Sequence, residues 1–419
     1  MPESYDVVVA GAGAAGLTAA IQAARAGASV LLVEKTGMPG GTTTMAHVNY
    51  PGLFYAWGRP VVAGIGWELV LAAVREAGGA LPDFSRPPER PNQYHVRVNV
   101  ALFAALADRA LRESGADVLF HTMLAGAARA GALWQLSLCT LEGLRPVRCK
   151  VLVDCTAEAC AVRLAGLGVE KHQPMQPGTL VFTVGGYDRD SLDVEAILKA
   201  FGEAVARGVM KETDFGWGGK LRSFLRSGGG NCNHVCGIDS STSEGKTRAE
   251  MAGRELLLRI FRFLQAQKGL ENVAITSVAP ECGIRETVTL RGRQSITLED
   301  YVGGRVWPDA VCYSYYPIDL HTTEGTGYDL RPLPEGVVAT IPRGALLPQG
   351  GEFLIAAGRH IAGDRLAHSA YRTQATCMAT GQAAGAMAAL AARAGVEPGD
   401  LDMPEVRALL RRHGALVPG

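Results

Sequence analysis

The segment from Tyr5 to Glu34 constrains this chain more than any other. An apolar run, Tyr5-Asp6-Val7-Val8-Val9-Ala10, meets Gly11-Ala12-Gly13-Ala14-Ala15-Gly16. A small-residue helix follows, then a second apolar run, Ala28 to Val33, that ends at Glu34. Strand, glycine-rich turn, helix and strand in this order form a βαβ unit shaped for the ADP part of a dinucleotide. Gly11 allows the tight turn, Gly13 lets the backbone approach a pyrophosphate, and Gly16 lets helix and strand pack closely. The helix N-terminus, with Ala14 and Ala15 in its first turn, offers N–H groups and the positive end of its dipole to phosphate oxygens. Glu34 stands where a carboxylate can bind both ribose hydroxyls. A glycine-rich turn in some other α/β protein is the competing reading. The strand before, the helix after and the acid at this distance favour the nucleotide.

At 419 residues the chain is long for one simple domain and suits two or three interleaved ones. Hydrophobic residues make up 47%, enough for a sizeable core. Lys+Arg and Asp+Glu both number 41, so no overall charge calls for nucleic acid or an anionic membrane as partner. The early apolar run follows Glu3 and Asp6 rather than a basic segment and carries the nucleotide turn, so it does not read as a signal peptide. Cys377 to Ala392 is apolar but rich in Ala and Gly and is closed by Arg393, which reads as a packed helix rather than a membrane span. Nine cysteines, an odd number without an export signal, point to a reducing cytoplasm. Cys232 and Cys236 flank His234 at a spacing that fits no zinc template, so free loop thiols and no metal are expected.

Further along, Lys35 to Thr44 is a glycine- and hydroxyl-rich loop able to approach a ligand closely. Periodicity predicts helices over Gly64–Gly78 and Val96–Ser114, with a Pro- and Arg-rich connector over Arg86–Asn92 between them. Strands are predicted over Asp117–Met123, Leu133–Leu141 and Val147–Asp154, then a short helix over Glu158–Ala165. The character changes after Gly178: a strand (Thr179–Val184), a helix (Leu192–Arg207), a loop-like stretch (Thr213–Ser243), a long helix (Lys246–Gln267) and a strand (Glu271–Val278). Phe353–Gly358 reads as a buried strand meeting a turn, followed by helices over Thr376–Ala392 and Pro404–His413. The fold class expected is α/β, with a discontinuous Rossmann-like dinucleotide domain and an inserted α+β substrate domain. The expected divisions are residues 1–178 for the first part, 179–340 for the substrate or cap domain, and 341–419 for the return.

Several segments together resemble the FAD-dependent oxidoreductases of the glutathione-reductase-like class, over nearly the whole chain. They are the N-terminal motif with Glu34 and Gly40-Gly41-Thr42, Val153-Asp154-Cys155-Thr156-Ala157, and Cys282-Gly283-Ile284-Arg285-Glu286-Thr287. Tyr316-Pro317-Ile318-Asp319-Leu320-His321, Ala357-Gly358-Arg359 and Thr376 to Gly385 complete the set. The resemblance implies bound FAD. Gly11, Gly13, Ala14, Ala15 and Gly16 would line the pyrophosphate and Glu34 the adenosine ribose, with Lys35, Gly41, Thr42 and Thr43 along the ribose and ribityl side. Leu124, at a strand end, Thr156 and Ala157 would meet adenine through the backbone. Gly358 and Arg359 would return near the pyrophosphate, and the Thr376 helix, preceded by Arg372 and Gln374, would point at the flavin pyrimidine edge, where its dipole favours the charge of reduced flavin. The chain departs from the family at Glu158, at Val288 and Thr289, where arginines are common, and at Ala375, which replaces a usual proline.

The flavin carries the redox chemistry, so the protein must supply a clamp and a proton acceptor. Arg285 suits a carboxylate or other oxyanion because its planar fork matches two oxygens; a structural salt bridge to Glu281 or Glu286 is the alternative. His321 is the candidate general acid/base, with capping of loop backbone as the alternative. Asp319 and His321 alternate on an extended segment and would share a face. Tyr316 and His234 complete the catalytic candidates, with a core aromatic and an exposed loop histidine as their bland readings. His47 could contact or tether the flavin, and Phe215-Gly216-Trp217 could form a lid, with an ordinary surface loop as the alternative. The expectation is hydride transfer between a small-molecule polar substrate and FAD in a cytoplasmic flavoprotein, with an unidentified electron acceptor or donor and a possible homo-oligomer. A tRNA-modifying flavoprotein and a non-catalytic FAD-binding interaction protein are the alternatives. A plain NAD dehydrogenase is disfavoured by the C-terminal return.

Overall fold

The computed structural model describes residues 1–85, 91–216, 220–322 and 327–419, without the side chains of residues 91 and 92. Residues 86–90 of the expected connector and Trp217 of the expected lid lie outside the described residues.

The central strand Ser4–Ala10 runs parallel to Val30–Val33 on one side and to Gly143–Asp154 on the other. Val7 sits opposite Val30 and Val151, and all three are buried to 2% or less. Strands covered on both faces read as unbroken apolar runs, which is why Val7-Val8-Val9 does not alternate. Asp117–Leu119 extends the parallel sheet beyond Val30–Val33, and Leu354–Ala356 joins it beside the end of Gly143–Asp154. The other half of that long strand turns into an antiparallel meander with Leu133–Thr140 and Met123–Ala130.

Two helices cover one face and meet through glycines. A Cβ added at Gly381 would lie 2.1 Å from the Ala15 carbonyl oxygen, and one at Gly385 would lie 2.2 Å from that of Ala19. The helix Gln374–Ala394 therefore rests backbone to backbone on Ala14–Arg25, and Thr18 Oγ1 donates to the Met378 carbonyl at 2.8 Å. Gln374–Ala394 is buried almost all round, which explains its Ala-rich composition; among the described residues no helix is long and apolar enough to cross a membrane.

A second, smaller core draws on residues 180–282: the strands Phe182–Gly185 and Ala274–Val278 with helices Val194–Ala206, Leu221–Ser227 and Ser243–Gln265. From Val288 onward, side chains such as Tyr301, Val311 and Ile341 join the first core instead. The change of core thus falls between Cys282 and Val288 rather than at the expected residue 340. The reason is local: Ala310–Ser314 pairs with Ala339–Pro342 and packs against the helix Gln374–Ala394.

Two further readings are corrected. The stretch Thr213–Ser243 is not all loop, because Leu221, Phe224 and Leu225 bury one face of a helix. The strand predicted over Asp117–Met123 splits at Phe120–Thr122, so Leu124 begins a strand, opposite Leu138, rather than ending one. Gly381→Ala should lower stability by about 1–3 kcal/mol, because the added methyl meets backbone that cannot rotate away; urea unfolding checks this, and an unchanged midpoint would mean the two helices can separate freely.

Candidate functional site

The glycine turn is built as its sequence requires. Gly11 has φ +93°, and a Cβ there would come within 2.6 Å of the Cys155 carbonyl oxygen; one at Gly16 would lie 1.7 Å from the Gly11 oxygen. Gly13 is the N-cap of Ala14–Arg25 and brings no side chain to its first-turn N–H groups. Gly41, at φ +53°, lies against Gly13, and Gly358 closes over Ala15. Glu34 is buried; Oε2 accepts from Ala12 N at 2.7 Å, and Oε1 accepts from Thr36 N and Oγ1 at 2.9 Å each. A carboxylate has about four acceptor positions, so Glu34 holds the turn and retains capacity for ribose hydroxyls.

Phe120–Thr122, rather than Leu124, lies beside Glu34: the Glu34 N–H donates to Leu119 O and Thr122 N donates to Glu34 O, both at 2.9 Å. Lys35 makes a half-exposed ion pair with Glu281 at 3.5 Å. Thr42 accepts through its carbonyl from Val48 N, and Thr43 donates to the Gln374 side chain, whose Nε2 donates to Val48 O at 2.9 Å. Gln374 thereby ties the start of the long helix to the Thr-rich loop that carries His47, a residue at φ +52°. Thr156 donates twice to the buried Asp154, and Ala157 adopts φ +67°. Arg359 turns to protein: it donates to Ala157 O, Ile284 O and Glu158, which also takes Lys246 at 2.7 Å.

A second constellation forms across the Thr-rich loop. A Cβ on Gly283 would lie 3.3 Å from Ala46, so Arg285, two residues on, stands beside this loop. Arg285 Nη1 donates to Pro177 O at 2.6 Å and Thr179 Oγ1 at 2.9 Å. The expected alternative partners are engaged elsewhere: Glu281 faces Lys35, and Glu286 accepts from Gln176 and Arg365. Among the described residues Arg285 makes no ion pair within 4.0 Å. Asp319 lies 3.5 Å from both His321 Nε2 and Arg372 Nη2. His321 and His234 meet edge to face at 5.1 Å between centroids, and Tyr316 lies parallel to His95 at 6.3 Å.

All five catalytic candidates, Arg285, His321, Tyr316, Asp319 and His234, therefore converge. His234 is 4% exposed rather than a surface loop residue, because its two-residue strand pairs with Gly178–Thr179. Arg372, expected on the cofactor side, joins this cluster through Asp319. His95 and Gln176 were missed; Gln176 Oε1 accepts from His321 N at 3.1 Å. Neither carried a local signal, since their roles come from chain segments far away in sequence.

The family profile of FAD dependent oxidoreductases matches residues 6–410. The chain belongs to this family. FAD is its cofactor, and it is an enzyme of the oxidoreductase class. Curated relatives match locally. NADH:fumarate oxidoreductase of Klebsiella pneumoniae is 64% identical over 48 residues, covering 12% of this chain and 5% of that protein. Thioredoxin reductase of Bacillus subtilis is 50% identical over 50 residues, 12% of this chain and 16% of that one. A solved flavoprotein/dehydrogenase from Cytophaga hutchinsonii is 13% identical with TM-score 0.46, covering 98% of this chain and 83% of its own. A geranylgeranyl bacteriochlorophyll reductase-like protein from Thermoplasma acidophilum is 15% identical with TM-score 0.45, covering 98% and 84%.

The residues present fit the family's cofactor. The glycine cradle is one that side chains would fill, and the buried Thr373 Oγ1, at the N-cap of Gln374–Ala394, has no hydrogen-bond partner among the described residues.

Electrostatics set the protonation states of the second constellation. Burial and the Arg372 charge push Arg285 down to about 10, so it stays charged at neutral pH. Burial raises Asp319, but the His321 hydrogen bond and Arg372 more than reverse this and hold it at about 2. Burial and the Arg285 charge lower His321 to about 4; burial, Arg285 and His321 lower His234 to about 2. His321 is thus neutral at pH 7 and available to accept a proton.

His360 and His368, fully or nearly fully buried, are also held below the ordinary histidine range by burial. Histidines neutral when folded bind protons on unfolding, so stability should fall as pH drops from about 6.5 towards 4, by up to about 1.4 kcal/mol per pH unit for each. Urea unfolding between pH 4 and 7.5 measures the slope, and His368→Gln should flatten it.

Proposed function

We propose that this FAD-dependent oxidoreductase transfers a hydride between the flavin and a small polar substrate carrying a carboxylate, which Arg285 binds. The observation that carries this reading is a half-buried, charged guanidinium that makes no ion pair within 4.0 Å among the described residues. A cation partly withdrawn from water in this way is stabilised when an anion completes it. Arg372 adds a second positive charge that Asp319 offsets only once, so the constellation keeps a net positive charge for an anion to neutralise. Bound FAD supplies the two-electron chemistry.

The protein's part is to hold the carboxylate and handle one proton. Arg285 and Arg372 orient the substrate. Asp319, ionised, accepts the Nε2 hydrogen of neutral His321, which directs Nδ1 as the basic atom of the ring. Proton acceptance by His321 leaves an imidazolium beside Asp319, whose negative charge stabilises it. Tyr316 and His234 wall the site and keep the charged groups out of water, which strengthens both arginine interactions.

Arg285→Gln should weaken binding of small carboxylates about 10- to 100-fold, the loss of one charge-assisted interaction. The change is read from perturbation of the flavin absorbance under anaerobic conditions. Equal affinity for the acid and its neutral amide would overturn the reading. Asp319→Asn should reduce the rate of substrate-linked flavin bleaching and move its acid limb below pH 4, since the imidazolium loses its counter-ion; an unchanged pH profile would remove Asp319 from the mechanism.

A further inference from the structure

A buried chain of hydroxyls links the substrate constellation to the start of the long helix. Tyr316 N donates to Tyr301 OH at 3.1 Å, Tyr301 OH meets Ser314 Oγ at 3.0 Å, and Ser314 Oγ meets Thr376 Oγ1 at 2.9 Å. Tyr301, Ser314 and Thr376 are each exposed by 1% or less. Three hydroxyls carry three hydrogens, but only two hydroxyl-to-hydroxyl contacts use them, because the amide fills the first acceptor position itself. One hydrogen is left over: at Tyr301, at Ser314 if both of its neighbours donate to it, or at Thr376. Left at Tyr301 or Ser314, it would be an unsatisfied donor in a dry core. Ordered the other way, Tyr301 donates to Ser314, Ser314 donates to Thr376, and the surplus donor is the Thr376 hydroxyl.

Thr376 sits in the first turn of Gln374–Ala394, beside the loop that Gln374 holds through Thr43 and Val48. The same helix start carries Thr373 Oγ1, which has no hydrogen-bond partner among the described residues. We infer that the Tyr301–Ser314–Thr376 relay is a positioning device that presents a polarised O–H donor from Thr376 to a pyrimidine carbonyl of bound FAD. It thereby stabilises the reduced, more negative flavin. Each hydroxyl that accepts a hydrogen bond becomes a better donor, so the relay strengthens the last link. Its first link is the backbone of Tyr316, which ties the cofactor's electron affinity to the strand bordering the substrate constellation. The inference rests on FAD binding with its pyrimidine edge at this helix and is independent of the carboxylate reading, since the test needs no substrate.

The test is made on the FAD-bound protein without substrate. Thr376→Val should lower the two-electron midpoint potential, measured against a reference dye, by about 30 mV, a tenfold loss in stabilisation of the reduced form. In protein loaded with FAD enriched in ¹³C at C2 and C4, one carbonyl resonance should shift upfield. Thr376→Ser should restore both readouts. Should Thr376→Val fail to fold or to hold FAD, Ser314→Ala tests the same relay, with an expected threefold loss, about 14 mV. Unchanged potential and unchanged carbonyl shifts in a folded, FAD-bound variant would overturn the inference and leave the relay a purely structural hydrogen-bond chain.

Discussion

The contact on which the rest of this molecule depends is the backbone-to-backbone approach of two helices and a turn. Gly16 lies on the Gly11 carbonyl, and Gly381 and Gly385 lie on the Ala15 and Ala19 carbonyls. None of these positions has room for a Cβ without moving main chain. The approach fixes the height and direction of Gln374–Ala394 relative to the dinucleotide turn. Everything at the start of that helix follows from it: Gln374 reaches the Thr-rich loop, Thr376 reaches Ser314, and Arg372 reaches Asp319. Two small residues in the middle of a helix thus set the geometry of side chains one to three turns away.

Charge is handled in two distinct ways on the two sides of the cofactor loop. Arg359 and Lys246 both pair directly with Glu158, and Arg359 is also tied to Ala157 and Ile284. That group joins the larger core to the smaller one, and each of its cations touches the carboxylate. Around Asp319 the pairing is different. Arg372 pairs with Asp319, the neighbouring histidines are neutral, and Arg285 hydrogen-bonds a carbonyl and a hydroxyl but makes no ion pair within 4.0 Å among the described residues. Burial makes such an imbalance costly, and a bound anion is the simplest way to relieve it.

The cofactor side was legible because its chemistry is local. Gly11, Gly13, Gly16 and Glu34 lie within one βαβ unit, and their spacing alone carries their roles. Leu124 was misplaced because three residues, Phe120 to Thr122, interrupt what reads as one continuous strand, and their pairing with Glu34 and Thr36 is not written in periodicity. The helix over Leu221–Ser227 was hidden by glycines on both sides, although its Leu-x-x-Phe-Leu spacing is helical. Arg285, Asp319 and His321 stood out as residue types, while His95 and Gln176 did not. A histidine after a connector and a glutamine between prolines gain meaning only when distant segments meet.

The sequence by itself determined the class of cofactor, the α/β architecture around it and the residue types available for catalysis, because strand, glycine turn, helix and acid act over a few residues of chain. Only the tertiary structure decided that Arg285 makes no ion pair within 4.0 Å among the described residues, that Arg372 pairs with Asp319, and that His321 is neutral. Those properties depend on burial and on charges brought together from segments tens to hundreds of residues apart. Burial and charge act through space, whereas the sequence orders residues only along the chain.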